Sequence, residues 1–87
     1  MTNDVHGKRI LLVDDHAMVR LGFRCLLEGA GAAVAGEAEN GENAVRLYAE
    51  TNPDVVVMDV SMPGIGGLVA LERLLVWDAK AKVLMLS

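Results

Sequence analysis

Short apolar runs that alternate with segments of helical periodicity are the feature that most constrains this chain. The runs cover residues 10–13, 33–36, 54–58 and 83–86, and apolar residues between them recur at spacings of three and four, as at positions 19, 23, 26 and 27. Short runs of branched residues are typical of parallel strands covered on both faces. The pattern predicts the order β-α-β-α-β-α-β, hence one parallel sheet with helices on both sides.

Capping and breaking residues predict where the helices end. Gly29 is placed as the left-handed residue after the first helix. Asn40 offers a side chain that caps the second helix, which Pro53 ends because proline lacks an amide hydrogen. Leucines at positions 68, 71, 74 and 75 predict an apolar stripe on a third helix that ends near Trp77.

Composition narrows the class of protein. Hydrophobic residues make up 53% of the chain and charged residues 23%, which is typical of a globular domain, and we expect one domain over residues 1–87. The net charge of −4 and the lack of a basic cluster argue against nucleic-acid binding by this chain itself. No apolar run reaches the roughly 18 residues of a membrane span, and the start does not resemble a signal peptide. We expect a soluble cytoplasmic protein with Cys25 as a buried, inert thiol.

Three aspartates follow the predicted strands. Asp14 and Asp15 come directly after the first strand and Asp59 after the third, so parallel strands would bring them to one edge of the sheet. Two like charges about 4 Å apart repel by about 4 kcal/mol at an effective dielectric constant of about 20. A hard divalent cation such as Mg²⁺ removes that conflict. A single aspartate here could equally be a cap or turn former, but capping does not require two adjacent acids.

These residues resemble a known family. Residues 10–15 (ILLVDD) are similar to the first strand and acid pair of response-regulator receiver domains, and residues 53–64 (PDVVVMDVSMPG) to their phosphoacceptor strand and loop. Asp15-His16, Arg20, Gly22 and residues 36–41 (GEAENG) resemble the subfamily with a LuxR-type helix-turn-helix output domain. The resemblance spans residues 8–87.

The resemblance implies an α/β, flavodoxin-like (CheY-like) sheet, with strand order 2-1-3-4-5 in complete members. It implies that Asp59 accepts a phosphoryl group from a sensor histidine kinase. Asp15 would bind Mg²⁺ directly together with Asp59, Asp14 would help through water, and the backbone carbonyl of Ser61 would be a further ligand. Ser87 falls at the switch position, where the family has a Ser or Thr that turns toward the phosphoryl group.

The chain also departs from the family. Complete members continue through a final helix, a fifth strand ending in an invariant lysine, and a last helix, and this sequence stops before them. Lys8, Lys80 and Lys82 all precede strands, so none is placed to substitute. We expect the amino-terminal part of a receiver, as a fragment rather than a natural truncation, with DNA bound only through an output domain not present here.

Two functions remain open at this point. The leading one is a phosphorylation-controlled signalling module that is not a turnover enzyme. The alternative is a phosphorylation-independent interaction module that forms a homodimer or exchanges elements through an exposed fourth strand. An aspartyl-phosphate hydrolase is disfavoured, because the position two residues after the nucleophile holds Ser61 instead of an acid. We interpret His16 as a solvated residue at the start of the helix and not as a general base.

Overall fold

The predicted alternation of strands and helices is confirmed. The structure, a computed structural model, describes residues 5–86. The elements follow one another in this order: β1 (Arg9–Val13), α1 (Ala17–Gly29), β2 (Ala33–Ala38), α2 (Gly41–Thr51), β3 (Val55–Asp59), α3 (Gly66–Trp77) and β4 (Val83–Leu86). None of the helices in this part of the chain is long and apolar enough to cross a membrane.

All four strands form one parallel sheet in the order β2-β1-β3-β4. Val13, at the end of β1, pairs with Ala38 of β2 on one side and with Met58 of β3 on the other. Asp59 pairs with Leu86 of β4. The last residues of the two central strands are therefore neighbours, and the residues that follow them start from the same edge of the sheet.

Alternate residues of the strands face opposite sides of the sheet, as strand geometry requires. Helices α2 and α3 cover one face, whose buried strand residues are Leu11, Val13, Ala38, Val56 and Met58. Helix α1 covers the other face, where Phe23 and Leu27 pack against buried residues of the central strands, namely Ile10, Leu12 and Val57. The central strands are covered on both faces, which explains their continuous apolar runs.

The buried face of α3 differs from the predicted leucine stripe. Leu74 is fully buried, but Leu68 is 59% exposed and Leu75 is 40% exposed. The helix instead buries Gly67 and Ala70 with Leu74. Small residues are required because α2 comes very close: a Cβ atom on Gly41 would lie 3.0 Å from the Cβ of Ala70.

Two predictions about the end of α1 and its surface are wrong. The left-handed residue is Gly31, with φ of 92°, and not Gly29, which is still the last residue of the helix. Cys25 is exposed and not buried. Since α1 turns Phe23 and Leu27 toward the sheet, a residue two positions after Phe23, about 200° round the helix, points away from it.

The predicted boundaries of α2 are confirmed. The side chain of Asn40 accepts a hydrogen bond from the amide of Asn43 at 2.8 Å, which caps the first turn. Asn52 ends the helix in the left-handed conformation, with φ of 47°, directly before Pro53. Asparagine tolerates this conformation better than most residues, so the chain can turn here into β3.

Candidate functional site

The three aspartates come together at the carboxyl edge of the sheet. Asp14 and Asp15 follow β1, and Asp59 ends β3, beside them. Asp14, Asp15, His16 and Asp59 each offer one possible ligand atom, and these four atoms all lie within 4.8 Å of one another. The convergence expected from the parallel order is therefore present. We call this group the acid pocket.

Two of the aspartates also shape the backbone. Asp14 Oδ1 accepts a hydrogen bond from the amide of His16 at 2.7 Å, and Asp59 Oδ1 accepts one from the amide of Ser61 at 2.9 Å. Each is the i to i+2 contact of an Asx turn. A carboxylate has two oxygens and about four lone-pair sites, so turn formation leaves capacity for a cation. The turn-forming role and a ligand role are compatible.

His16 is more closely tied to the acids than the sequence suggested. Its side chain is 64% exposed, as expected, but Nδ1 lies 2.9 Å from Asp14 Oδ1 and 3.1 Å from Asp15 Oδ1. The hydrogen bond to Asp14 and the nearby charge of Asp15 raise the pKa of His16 above its usual value of 6.5. His16 precedes α1, which begins at Ala17, so it lies at the cap position and not in the first turn.

An arginine supports the turn that carries Asp14 and Asp15. Arg20 Nη1 donates to the backbone carbonyl of Asp14, and Arg20 Nε donates to Glu37 Oε1 at 3.0 Å. The Arg20 side chain is 18% exposed and that of Glu37 is 28% exposed. Arg24 also contacts Glu37, from the next turn of α1. The sequence drew attention to Arg20 only through the family resemblance, because no local pattern links it to Glu37 on β2.

Glycines allow the loop after β3 to lie close to the pocket. Gly64 and Gly66 have φ of 77° and 76°, which favour glycine. At Gly67, a Cβ atom would lie 2.3 Å from the backbone oxygen of Asp59 and 2.8 Å from the Cα of Val60. The first turn of α3 therefore rests directly on the backbone of the third aspartate.

All three lysines of the chain lie away from the acid pocket. Lys8, Lys80 and Lys82 line a cleft with Asn52 and residues 53–55, near the beginnings of the strands. A separate cleft opens beside the acid pocket, and its lining combines polar and apolar residues: Asp14, His16, Val19, Phe23, Asp59 and Leu86. Ser87, the predicted switch residue, lies outside the described residues.

The sequence model of the response regulator receiver domain matches residues 10–87. This chain belongs to that family. Receiver domains are signalling modules of two-component response regulators, and the match begins at β1 and covers every element of the fold.

Curated relatives agree with this assignment. The chemotaxis protein CheY of Thermotoga maritima is 43% identical over 81 residues, which cover 93% of this chain and 68% of CheY. The response regulator UvrY of Escherichia coli K12 is 49% identical over 79 residues, which cover 90% of this chain and 36% of UvrY. The chain thus spans about two thirds of the length of CheY and about a third of UvrY.

Solved structures share the fold of this receiver domain. A two-component response regulator of the LuxR family from Aurantimonas sp. SI85-9A1 superposes with a TM-score of 0.87 at 49% identity, covering 91% of this chain and 57% of that one. The chain matched in the CheX-CheY-BeF3-Mg+2 complex from Borrelia burgdorferi superposes with a TM-score of 0.88 at 28% identity. The match covers 92% of this chain and 61% of that one. The CheY-like, flavodoxin-like fold expected from the sequence is therefore confirmed.

Proposed function

We propose that this receiver domain, spanning residues 1–87, accepts a phosphoryl group on Asp59 from a sensor histidine kinase in the cytoplasm, with Mg²⁺ in the acid pocket. The observation that carries the proposal is the position of Asp59, whose carboxylate shares one cluster with Asp14 and Asp15 at the carboxyl edge of the sheet. In open parallel α/β sheets, ligands bind at that edge.

The cluster fits a hard divalent cation. Three carboxylates within a few ångströms repel one another, and oxygen ligands are those that Mg²⁺ prefers. Asp15 and Asp59 would bind the ion directly, Asp14 would act through water, and the carbonyl of Ser61 would add a further oxygen. An ion held there would neutralise negative charge between the Asp59 carboxylate and the incoming phosphoryl group.

The main contribution of the protein to the phosphoryl transfer is to position the Asp59 carboxylate. An oxygen of the Asp59 carboxylate attacks the phosphorus of a phosphohistidine in line with the bond to nitrogen. A phosphorus–oxygen bond forms as the phosphorus–nitrogen bond breaks, and the imidazole of the kinase leaves with the bonding electron pair. The Asx turn from Asp59 to the amide of Ser61 holds the carboxylate in place for this attack. The chain acts as a signalling module and does not turn over an external substrate.

The comparisons support this proposal by similarity. The Borrelia structure is a complex of CheX, CheY, BeF3 and Mg²⁺, and this chain shares its fold. The LuxR-family regulator and UvrY are both longer than this chain, so sequences similar to it occur within longer response regulators. For residues 1–87 themselves we propose no DNA binding, which would require a separate output domain.

A small-molecule phosphodonor with Mg²⁺ tests the acceptor. Wild-type protein should gain one acid-labile phosphoryl group, and Asp59→Asn should gain none, because the amide is not a nucleophile. Asp15→Asn should lose most Mg²⁺ binding measured by calorimetry, because it removes a charged direct ligand.

The matched control is Asp54→Asn. Asp54 is an exposed acid that directly precedes β3, at the opposite end of the strand from Asp59. Its carboxylate accepts a hydrogen bond from the amide of Arg9 at 2.8 Å, and the side-chain oxygen of asparagine can accept the same bond. This variant should label and bind Mg²⁺ as wild type does. Label on Ser61 or Ser87, or equal Mg²⁺ binding by wild type and Asp15→Asn, would contradict the site assignment.

The position of the lysines favours one alternative function. Lys8, Lys80 and Lys82 lie near the beginnings of the strands, so no lysine of this chain faces a phosphoryl group at the acid pocket. Residues 1–87 by themselves are therefore also compatible with a phosphorylation-independent interaction module. Titration with beryllofluoride and Mg²⁺ separates the two functions: saturable binding that Asp59→Asn abolishes supports phosphorylation, and no binding supports the alternative.

A further inference from the structure

We infer that Arg20 is a positioning residue for the acid pocket, which it orients through the backbone carbonyl of Asp14. The inference rests on the proposed function, because it concerns the Mg²⁺ affinity of the same pocket. Among the hydrogen bonds and ion pairs of residues 5–86, the side chain of Arg20 is joined to the Asp14 carbonyl and to Glu37, and to no carboxylate of the acid pocket.

The backbone of Asp14 is held on both of its polar groups. Its amide donates to the carbonyl of Ala38 on β2 at 3.0 Å, and its carbonyl accepts from Arg20 on α1. That carbonyl belongs to the planar peptide unit that joins Asp14 to Asp15. Fixing the plane fixes the N and Cα atoms of Asp15, from which its side chain extends to the cluster it shares with Asp59.

Glu37 holds the guanidinium in place for this contact. Arg20 uses Nε for Glu37 and Nη1 for the Asp14 carbonyl, so one rigid planar group spans β2 and the turn after β1. Both side chains are more than two thirds shielded from solvent, at 18% and 28% exposure. Since the pair is close to neutral, its effect on the pocket is mainly geometric and not a change of the local charge.

Arg24 provides a matched control on the same helix. It also contacts Glu37, but its side chain is 41% exposed and its other partner is Glu28, at 3.4 Å. It makes no contact with the turn that carries the acids among the hydrogen bonds found in the described residues. Arg24→Gln removes the same charge from the same partner and leaves the Asp14 carbonyl bound.

Calorimetry of Mg²⁺ binding to the full chain tests the inference. Arg20→Gln should raise the Kd for Mg²⁺ by about ten-fold or more, as is typical when a group supporting a metal ligand is lost. Arg24→Gln should change the Kd by no more than about two-fold, because exposed ion pairs contribute little. The Kd of Arg20→Lys should lie between those of Arg20→Gln and wild type, because the lysine ammonium group can still donate a hydrogen bond to the Asp14 carbonyl. All variants are measured where circular dichroism shows them fully folded.

The outcomes separate this inference from the proposed function. If wild type binds Mg²⁺ and accepts phosphate on Asp59 while Arg20→Gln keeps the wild-type Kd, only the role of Arg20 is overturned. The same holds if Arg24→Gln weakens binding equally, or if Arg20→Lys is no better than Arg20→Gln. If wild type binds no Mg²⁺, both the proposed function and the role of Arg20 are overturned. Should Arg20→Gln not fold, Glu37→Gln replaces it: weaker binding supports the inference, and an unchanged Kd overturns it.

Discussion

Replacing Gly67 with alanine should destabilise the protein at the point where α3 meets the acid pocket. The added Cβ would lie 2.3 Å from the carbonyl oxygen of Asp59, 2.8 Å from the Cα of Val60 and 2.9 Å from the Val60 oxygen. Ordinary van der Waals contacts are 3.4–4 Å. All three atoms belong to the backbone, so no side chain can rotate away, and the strand end or the helix must move by about 1 Å.

The expected magnitude follows from two opposing effects. Overpacking of this kind costs about 1–3 kcal/mol, and the overlap with three backbone atoms places this site toward the upper end. Alanine in a helix recovers up to about 1 kcal/mol relative to glycine. We expect a net loss of about 1–2 kcal/mol in the free energy of unfolding, together with weaker Mg²⁺ binding, because the displaced backbone carries Asp59.

Urea denaturation followed by circular dichroism measures the loss. The control is Gly22→Ala on α1, where an added Cβ would meet nothing within 4 Å, so this variant should be as stable as wild type or more stable. If Gly67→Ala is as stable as Gly22→Ala and binds Mg²⁺ like wild type, the close approach of α3 to β3 is not a constraint and the reasoning fails.

Two further outcomes are expected. Burial, reinforced by the hydrogen bond to Asp78 at 2.9 Å, raises the pKa of Tyr48 above its usual value of about 10. The neutral phenol is therefore favoured in the folded state, and its stabilising contribution is lost as the pH rises through that higher pKa. Because the chain has a single tyrosine, near-ultraviolet titration of tyrosinate absorbance should give a midpoint above 10, and a midpoint at or below 10 would contradict the burial. Leu84→Lys should reduce any self-association measured by light scattering, because Leu84 is 56% exposed on β4 at the edge of the sheet. The control is Val76→Lys on α3, where Val76 is 89% exposed, and this variant should leave self-association unchanged.

The sheet and the acid pocket could be predicted because their causes are local in the sequence. A short apolar run indicates a buried strand, the parallel order brings strand ends together, and an acid after such a strand lies at that edge. Asn40 and Pro53 likewise act on their own helix. Each of these inferences needs only the residues beside it, and each agrees with the described structure.

Other features depend on which elements become neighbours. The predicted leucine stripe on α3 is wrong because α3 packs closely against α2 and buries the small residues Gly67 and Ala70. The close spacing of the two helices cannot be read from the sequence of α3 alone. Cys25 looked buried because cysteine often is, yet its position on α1 turns it outward. The contact between Arg20 and Glu37 joins a helix to a strand across 17 positions, and no short pattern marks such a pair.

The common direction of the four strands also separates charge along the molecule. Acids that follow strands gather at one end, and the three lysines, which precede strands, gather at the other. Three carboxylates thus lie together in the acid pocket, whereas the three ammonium groups at the other end lie beside Asp54 and Asp78. A charged partner experiences a torque as it approaches, and cations are drawn toward the acidic end. Dissolved salt screens these charges beyond about 8 Å at physiological ionic strength, so encounter rates with positively charged partners should fall as salt is added.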